Sequence, residues 1–260
     1  EANPQLRMPD QRRDYAAFSG DAGVVFHPVK TVACAANLGR AWRAPALFEL
    51  FSNGPRRDAA RWEIGDPDLD EERGLMADLS VRWQAPRFRG EVALFRNGMD
   101  GFIQLAASDE FRPSGTGDSL QVYRYVQTDA VLWGGELRAE YEVVAGFTVR
   151  GRCEVVHGED SPAEVPLALV PPLRAVAGAE WRWGARGRLQ GASLGTDVEM
   201  VGEHEGPGPF ETATAAYALW HLEGGLEWAW YGREVAVDLQ LRNVLDTAYR
   251  DHLSRYKEFA

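Results

Sequence analysis

The stretch EVAVDLQLRNVL, residues 234–245, decides the fold class of this chain. Apolar and polar residues alternate along it, so every second side chain lies on the same face of an extended backbone. Val235, Val237, Leu239 and Leu241 form the apolar face, and Glu234, Ala236, Asp238, Gln240 and Arg242 form the opposite face. The pattern predicts a β-strand with one apolar side and one polar side.

The same alternation recurs along the chain and predicts about ten strands. Several exceed the about 5 to 6 residues usual in soluble domains and reach the roughly 9 to 11 that cross a bilayer at a tilt. The strands are predicted near residues 18–26, 31–43, 73–84, 88–103, 120–143, 147–157, 173–183, 187–202, 212–230 and 234–246.

Short and long connections alternate between these strands. Tight turns are expected near 27–30, 85–87, 144–146, 184–186 and 231–233, and long polar loops at 44–72, 104–119, 158–172 and 203–211. Outer-membrane barrels have this asymmetry, with short turns on the periplasmic side and long loops outside. We therefore predict an all-β, antiparallel up-and-down transmembrane β-barrel segment with its apolar face toward lipid. A soluble barrel with that face turned inward is the alternative, because periodicity alone does not separate the two.

Composition narrows the function classes. The 260-residue chain has 28 Lys and Arg against 39 Asp and Glu, and this acidic balance disfavours nucleic acid as a partner. Nine Trp favour contact with a membrane interface. The two cysteines, Cys34 and Cys153, predict neither a disulfide framework nor a metal cluster. No phosphate cradle, nucleophile elbow or paired acids stand out, so neither an enzymatic activity nor a cofactor is predicted.

Four sequence motifs carry a family resemblance. They are GRAWRAP at 39–45 followed by LFELF at 47–51, EIGDPDL at 63–69 with EER at 71–73, LFRN at 94–97 with GFI at 101–103, and NVLD at 243–246 with Tyr249 and Arg250. In this order and spacing the chain resembles the TonB-dependent outer-membrane receptors.

The resemblance implies a location in the bacterial outer membrane and a barrel of about 22 strands with an N-terminal plug. It also implies energy-coupled import of a scarce nutrient, such as a ferric chelate, haem or a metal ion. The implied partners are that ligand, membrane lipid and, through the plug, the inner-membrane energy-coupling complex. Since ten strands and no plug-like segment are predicted, residues 1–260 are expected to be the C-terminal portion of the barrel, without the plug and the final strand. A passive outer-membrane porin is the alternative function.

Loop 44–72 is the predicted place of ligand capture, because outer loops carry recognition while the wall is scaffold. Residues 51–55 resemble the zinc- and haem-linked branch of the family, in which a histidine commonly follows the Gly-Pro pair. Arginines stand there instead; they cannot ligate Zn²⁺ and suit an anionic iron chelate better. The alternative is that they are solvated charges paired with nearby carboxylates. The candidate residues are Arg56, Arg57, Arg61, Glu63, Asp66 and Asp68.

Two further places combine imidazole with carboxylate, which suits a metal ion. They are His157 with Glu159, and His204 with Glu205. The acidic run at 66–72 offers oxygens to Ca²⁺, although a solvated loop is the simpler interpretation. These residues are candidates only.

Overall fold

The computed structural model describes residues 13–56, 60–114, 117–184, 187, 189–206, 208 and 211–254. They form a single sheet of thirteen strands and one short helix. In chain order the elements are β1 Gly20–Val29, β2 Val32–Arg43, α1 Leu47–Phe51, β3 Asn53–Arg56, β4 Arg61–Ile64, β5 Glu72–Ala85, β6 Phe88–Pro113, β7 Ser119–Val144, β8 Phe147–Asp160, β9 Val165–Pro166, β10 Arg174–Trp183, β11 Leu189–Val201, β12 Tyr217–Trp230 and β13 Arg233–Leu241.

Ten of these strands follow one another through the sheet in the order β1-β2-β5-β6-β7-β8-β10-β11-β12-β13. Each neighbouring pair is antiparallel. The up-and-down topology and the ten long strands predicted from the alternation are therefore confirmed. We call the end of the sheet with the tight turns the turn end, and the opposite end the loop end.

One predicted loop was wrong. Residues 104–113 continue β6 instead of forming a loop, and their ladder to β7 runs from Phe102 opposite Thr128 to Pro113 opposite Ser119. The two strands have 26 residues each, far more than the roughly 9 to 11 that cross a bilayer. Their paired outer halves therefore project beyond the membrane-spanning part. The prediction failed because polar side chains, which indicated a loop, do not prevent backbone pairing.

The sheet has a polar face and an apolar face. A cavity of about 480 Å³ is lined by residues of β7, β8, β10, β11, β12 and β13, among them Glu140, Arg150, Asp197, Glu223 and Gln240. Residues from six strands surround one cavity only if the sheet curves around it. We call the face carrying Arg150 and Asp197 the inner face, and its opposite the outer face.

The predicted orientation of β13 is confirmed. Val237, Leu239 and Leu241 lie directly across from Leu226, Gly224 and Leu222 of β12. The alternate residues of the same strands, among them Gln240 and Glu223, belong to the polar inner face. Leu239 is 61% exposed, as expected for a residue of the outer face. The polar cavity lining on the opposite face argues against a soluble barrel filled by these apolar side chains.

Aromatic side chains gather on the outer face near the turn end. Trp83 and Phe88 meet edge to face with ring centroids 5.5 Å apart, and Phe147 lies 5.3 Å from Trp181. Trp230 and Tyr231 follow next to the turn between β12 and β13. Such a belt is typical of the level at which a barrel meets lipid headgroups.

The sheet is open in the part of the chain that the structure describes. There β1 pairs only with β2, and β13 only with β12. Within the described residues the structure is therefore an open curved sheet and not a closed barrel. Cys34 and Cys153 are free and half-buried. In the described ranges no helix has the length and apolarity to cross a membrane.

Candidate functional site

Loop 44–72 is an ordered structure built from α1, the β3–β4 hairpin and the residues that lead into β5. β4 runs parallel to the outer half of β7, with Arg61 opposite Gln121 and Ile64 opposite Arg124. β8 pairs with β7 only up to Ala130, so β4 takes over the same edge of β7 beyond that point. The loop therefore extends past β5 and β6 to reach β7.

A small apolar core holds the loop against the two long strands. Leu50 and Leu69 of the loop are buried with Ile103 of β6 and Tyr125 of β7. The ring of Phe48 packs edge to face against Tyr125 at 5.8 Å between centroids. Loops that carry their own core keep a fixed position, so side chains on this loop have a defined geometry.

Two contacts explain why the family motifs have their residue types. The Arg43 guanidinium donates to both carboxylate oxygens of Glu49, at 2.8 and 3.1 Å, which closes α1 onto the end of β2. Gly65 lies against α1, and a Cβ added there would be 2.6 Å from the backbone of Leu50 and Phe51. Only glycine permits so close an approach.

Glu63 is the charged centre of the loop. Its carboxylate is 3% exposed and lies 2.7 Å from the Arg61 guanidinium and 3.7 Å from that of Arg56. The Tyr125 hydroxyl donates to it at 3.2 Å. Burial, and then the negative charge of Glu63, raise the pKa of Tyr125 to about 12. The buried carboxylate is thus compensated by two arginines and one phenol.

The structure brings only some of the predicted residues together. Arg56, Arg61 and Glu63 form one cluster, whereas Asp66 accepts a hydrogen bond from the amide of Asp68 at 2.8 Å. The Asp68 carboxylate pairs with Arg13 at 2.7 Å. Arg57 lies outside the described residues. Ligand binding by these side chains stays a prediction.

Four residues beside this cluster were not predicted from the sequence. The Arg112 guanidinium stacks over the Trp62 ring at 5.5 Å, and both side chains donate to the side-chain Oδ1 of Asn53. Arg61 stacks over the Tyr123 ring at 5.3 Å. They meet because β3, β4, β6 and β7 converge there, which no local sequence pattern indicates. Arg56, Arg61 and Tyr123 lie on one side of β4, and Trp62 and Arg112 lie on the other. We call these five residues the loop-end cluster.

The histidine candidates lie in other surroundings. His157 is on the outer face of β8 and stacks on Trp133, with ring centroids 4.4 Å apart. His204 packs against the fully buried His252 at 4.2 Å, and Glu205 is exposed. Within the described ranges, no three or more His, Cys, Asp or Glu side chains are placed to hold a metal ion. Metal binding by His157, Glu159, His204 and Glu205 gains no support from this arrangement.

The inner wall is held by a network around Arg150. Its guanidinium lies 2.6 Å from Asp197, 2.5 Å from Glu223 and 4.0 Å from Glu180, so β8 is linked to the three strands that follow it in the sheet. Gly178 leaves the space for these contacts, because a Cβ there would be 2.0 Å from the Asp197 carboxylate. The network supports the shape of the wall.

Comparison with known proteins agrees with the sequence motifs and the fold. The family described as TonB dependent receptor-like, beta-barrel matches residues 2–244. The copper transporter OprC has a TM-score of 0.74 at 21% identity, over 90% of this chain and 34% of that one. A mutant of the ferric enterobactin receptor PfeA from Pseudomonas aeruginosa has a TM-score of 0.66 at 17% identity, over 90% and 36%. The ferric yersiniabactin uptake receptor FyuA from Yersinia pestis has 0.61 at 15%, over 89% and 33%.

The chain therefore spans about a third of the length of each of these receptors. Because the family match covers most of the chain, the protein belongs to the TonB-dependent receptor-like β-barrels, which are bacterial outer-membrane proteins.

Proposed function

We propose that this chain is the C-terminal portion of the barrel of an energy-coupled importer and that its loop end captures an anionic metal chelate. In this proposal a plug and the inner-membrane coupling complex supply gating and energy. The wall itself carries out no chemistry. Its contribution is a rigid scaffold and the loop-end cluster.

The charge of the loop-end cluster is the observation that carries the proposal. Four guanidinium groups lie at the loop end on two sides of β4: Arg56 and Arg61 lie beside Glu63 on one side, and Arg112 and Arg124 lie at the alternate positions on the other, where Arg124 pairs with Glu110. The chain as a whole has a net charge of −11, so this local excess of positive charge runs against the overall balance. A positive surface on an acidic protein favours the approach of an anion.

The aromatic rings add a second recognition element. Trp62 and Tyr123 are half-buried beneath arginines, which fixes both the ring and the guanidinium plane. Planar groups of this kind suit a flat, delocalised anion such as an aromatic metal chelator. Two of the structural neighbours are named as receptors for ferric chelates, which agrees with this ligand class.

Binding of ferric chelates to the longest natural polypeptide containing this chain tests the proposal. In the R56A/R57A variant, affinity for an anionic ferric chelate should fall by about 10-fold or more, because each charged contact contributes about 1 to 2 kcal/mol. The thermal midpoint should change little, because Arg61 at 2.7 Å and the Tyr125 hydroxyl still compensate the buried Glu63 when the more distant Arg56 is removed.

The R87A/R89A variant is the matched control, because both arginines are exposed and lie at the turn end. It removes the same charge and should bind like the wild type. Equal affinity in R56A/R57A and wild type would remove these arginines from the site. If the wild type binds a bare metal ion such as copper and H204A binds it more weakly, the His204 loop is the capture site instead.

A further inference from the structure

Two arginines interrupt the apolar outer face. On β6 the outer side chains are Phe88, Val92 and Leu94, and the next large one is Arg96. On β2 the outer series ends in the same way, with Arg40 after Leu38. The strand registers carry the inner face from Glu140 through Arg89 and Gln84 to Glu72 and Arg43, which pair there. Arg40 and Arg96 occupy the alternate positions and therefore lie on the outer face.

Both arginines lie at the same level of the barrel. Each is the ninth residue of its strand, counted from the turn end. With a rise of about 3.4 Å per residue and a tilt of about 40°, the ninth residue lies about 21 Å above the first. Since the apolar band of such barrels is about 25 Å tall, these long side chains extend to its outer boundary.

The surroundings of Arg96 match a membrane boundary. Trp133 lies directly opposite Arg96 on β7, and His157 lies opposite Trp133 on β8. Tyr141, across from Phe88, marks the other boundary of the band at the turn end. Amphipathic rings at two levels bracket the apolar band, as aromatic belts do.

Neither arginine has a protein counter-ion in the part of the chain that the structure describes. No carboxylate approaches Arg40 or Arg96 within 4.0 Å, and both side chains are exposed. Of the acidic groups further toward the loop end, Glu71 is paired with Arg73, and Asp100 lies opposite the same arginine. Two cations therefore face the lipid boundary with their charge uncompensated by protein.

The surface between the arginines is apolar: Leu75 of β5 lies opposite Arg40 and is exposed. β5 separates β2 from β6, so about 10 Å lie between the two strands. Ala77 of β5 is the residue opposite Arg96, and a Cβ added at Gly98 of β6 would meet nothing within 4 Å. The two guanidinium groups can thus approach one ligand from either side of Leu75 and Ala77.

We propose that Arg40 and Arg96 form a binding site for the phosphate of a lipid headgroup in the outer leaflet. Guanidinium donates paired hydrogen bonds to phosphate oxygens, and it is less strongly hydrated than an ammonium group. The acyl chains of that lipid pack along the apolar face below, next to Leu38, Ala77 and Leu94. A lipid supplies both the charge and the apolar contact that this surface requires.

The test is lipid binding to the longest natural polypeptide that contains this chain, purified in detergent, stripped of lipid and followed by native mass spectrometry. Phosphatidic acid and phosphatidylcholine with identical acyl chains are the probes. At about 1 kcal/mol for each arginine near a lipid phosphate, wild type should prefer phosphatidic acid by about 30-fold. The R40Q/R96Q variant should lose this preference, and each single variant should keep about 5-fold.

The R89Q/R138Q variant is the matched control, because it removes two exposed inner-face arginines of β6 and β7. It should keep the full preference. The proposal is overturned if wild type shows no preference, or if R40Q/R96Q keeps it while remaining folded by its thermal midpoint. Full competition by millimolar inorganic phosphate would also overturn it, because the site would then bind free phosphate and not a lipid.

Discussion

Replacing Gly65 by alanine tests whether the position of loop 44–72 depends on its close approach to α1. The new Cβ would lie 2.6 Å from the carbonyl carbon of Leu50 and from the nitrogen of Phe51, well inside the 3.4 Å at which ordinary contact begins. All of these atoms belong to the backbone, so no side chain can rotate away. Overpacking of this kind costs about 1 to 3 kcal/mol.

The cost should appear as local opening, since the loop is attached to a barrel that remains folded. Two backbone hydrogen bonds report on it directly: the Gly65 amide donates to the Ser52 carbonyl at 2.7 Å, and the Asp66 amide to that of Glu49 at 2.9 Å. A loss of about 1 to 3 kcal/mol in local stability corresponds to roughly 5- to 150-fold faster hydrogen exchange at the amides of Gly65 and Asp66. Exchange in the membrane-spanning strands should stay unchanged.

Gly54 of the same loop is the matched control, because a Cβ added there meets nothing within 4 Å. The G54A variant should exchange like wild type, and chelate binding should weaken in G65A alone. If exchange at residues 65 and 66 is equally fast in G65A, G54A and wild type, the close packing against α1 does not hold the loop.

Three further outcomes follow from the wall and the loop. R150M should lower the unfolding free energy by about 2 to 3 kcal/mol, because three carboxylates lie within 4.0 Å of the Arg150 guanidinium. R138M removes an arginine from an exposed ion pair and should lower it by under about 1 kcal/mol. Equal denaturant midpoints for the two variants would contradict this expectation. L239R should lower the free energy of folding into lipid by about 2 to 4 kcal/mol, and Q240R should lower it much less. Refolding into vesicles measures both, and equal costs would contradict the assignment of the two faces. Because the pKa of Tyr125 is raised to about 12 from the usual value of about 10, its phenol stabilises the docked loop below pH of about 10, and this contribution is lost as the pH rises toward 12. Protease cleavage of the loop should therefore accelerate across that range in wild type, and Y125F should flatten the profile.

The amino-acid sequence by itself determined the scaffold. Strict alternation in segments such as 234–241 defines both the strand and the two faces, because the side-chain period of a strand is local. The tight turns at Gly146 and Gly232, both with positive φ, are likewise local. The order of the ten long strands then follows, since short turns force neighbours in sequence to pair.

Only the tertiary structure decided the chemistry of the loop end. The carboxylate of Glu63 meets Tyr125 because β4 pairs in parallel with a strand about 60 residues further along the chain. No periodic pattern marks that pairing, so Trp62 and Arg112 could not be recognised as neighbours from sequence.

His157 shows the same limit from the other direction. Its neighbour Glu159 suggested a metal site, yet β-strand register places the imidazole on the outer face against Trp133. Contacts between distant segments depend on how the whole sheet curves and which edges remain available, and these are properties of packing. Local periodicity therefore determines the wall of this protein, whereas the long-range fold determines which charged side chains meet upon it.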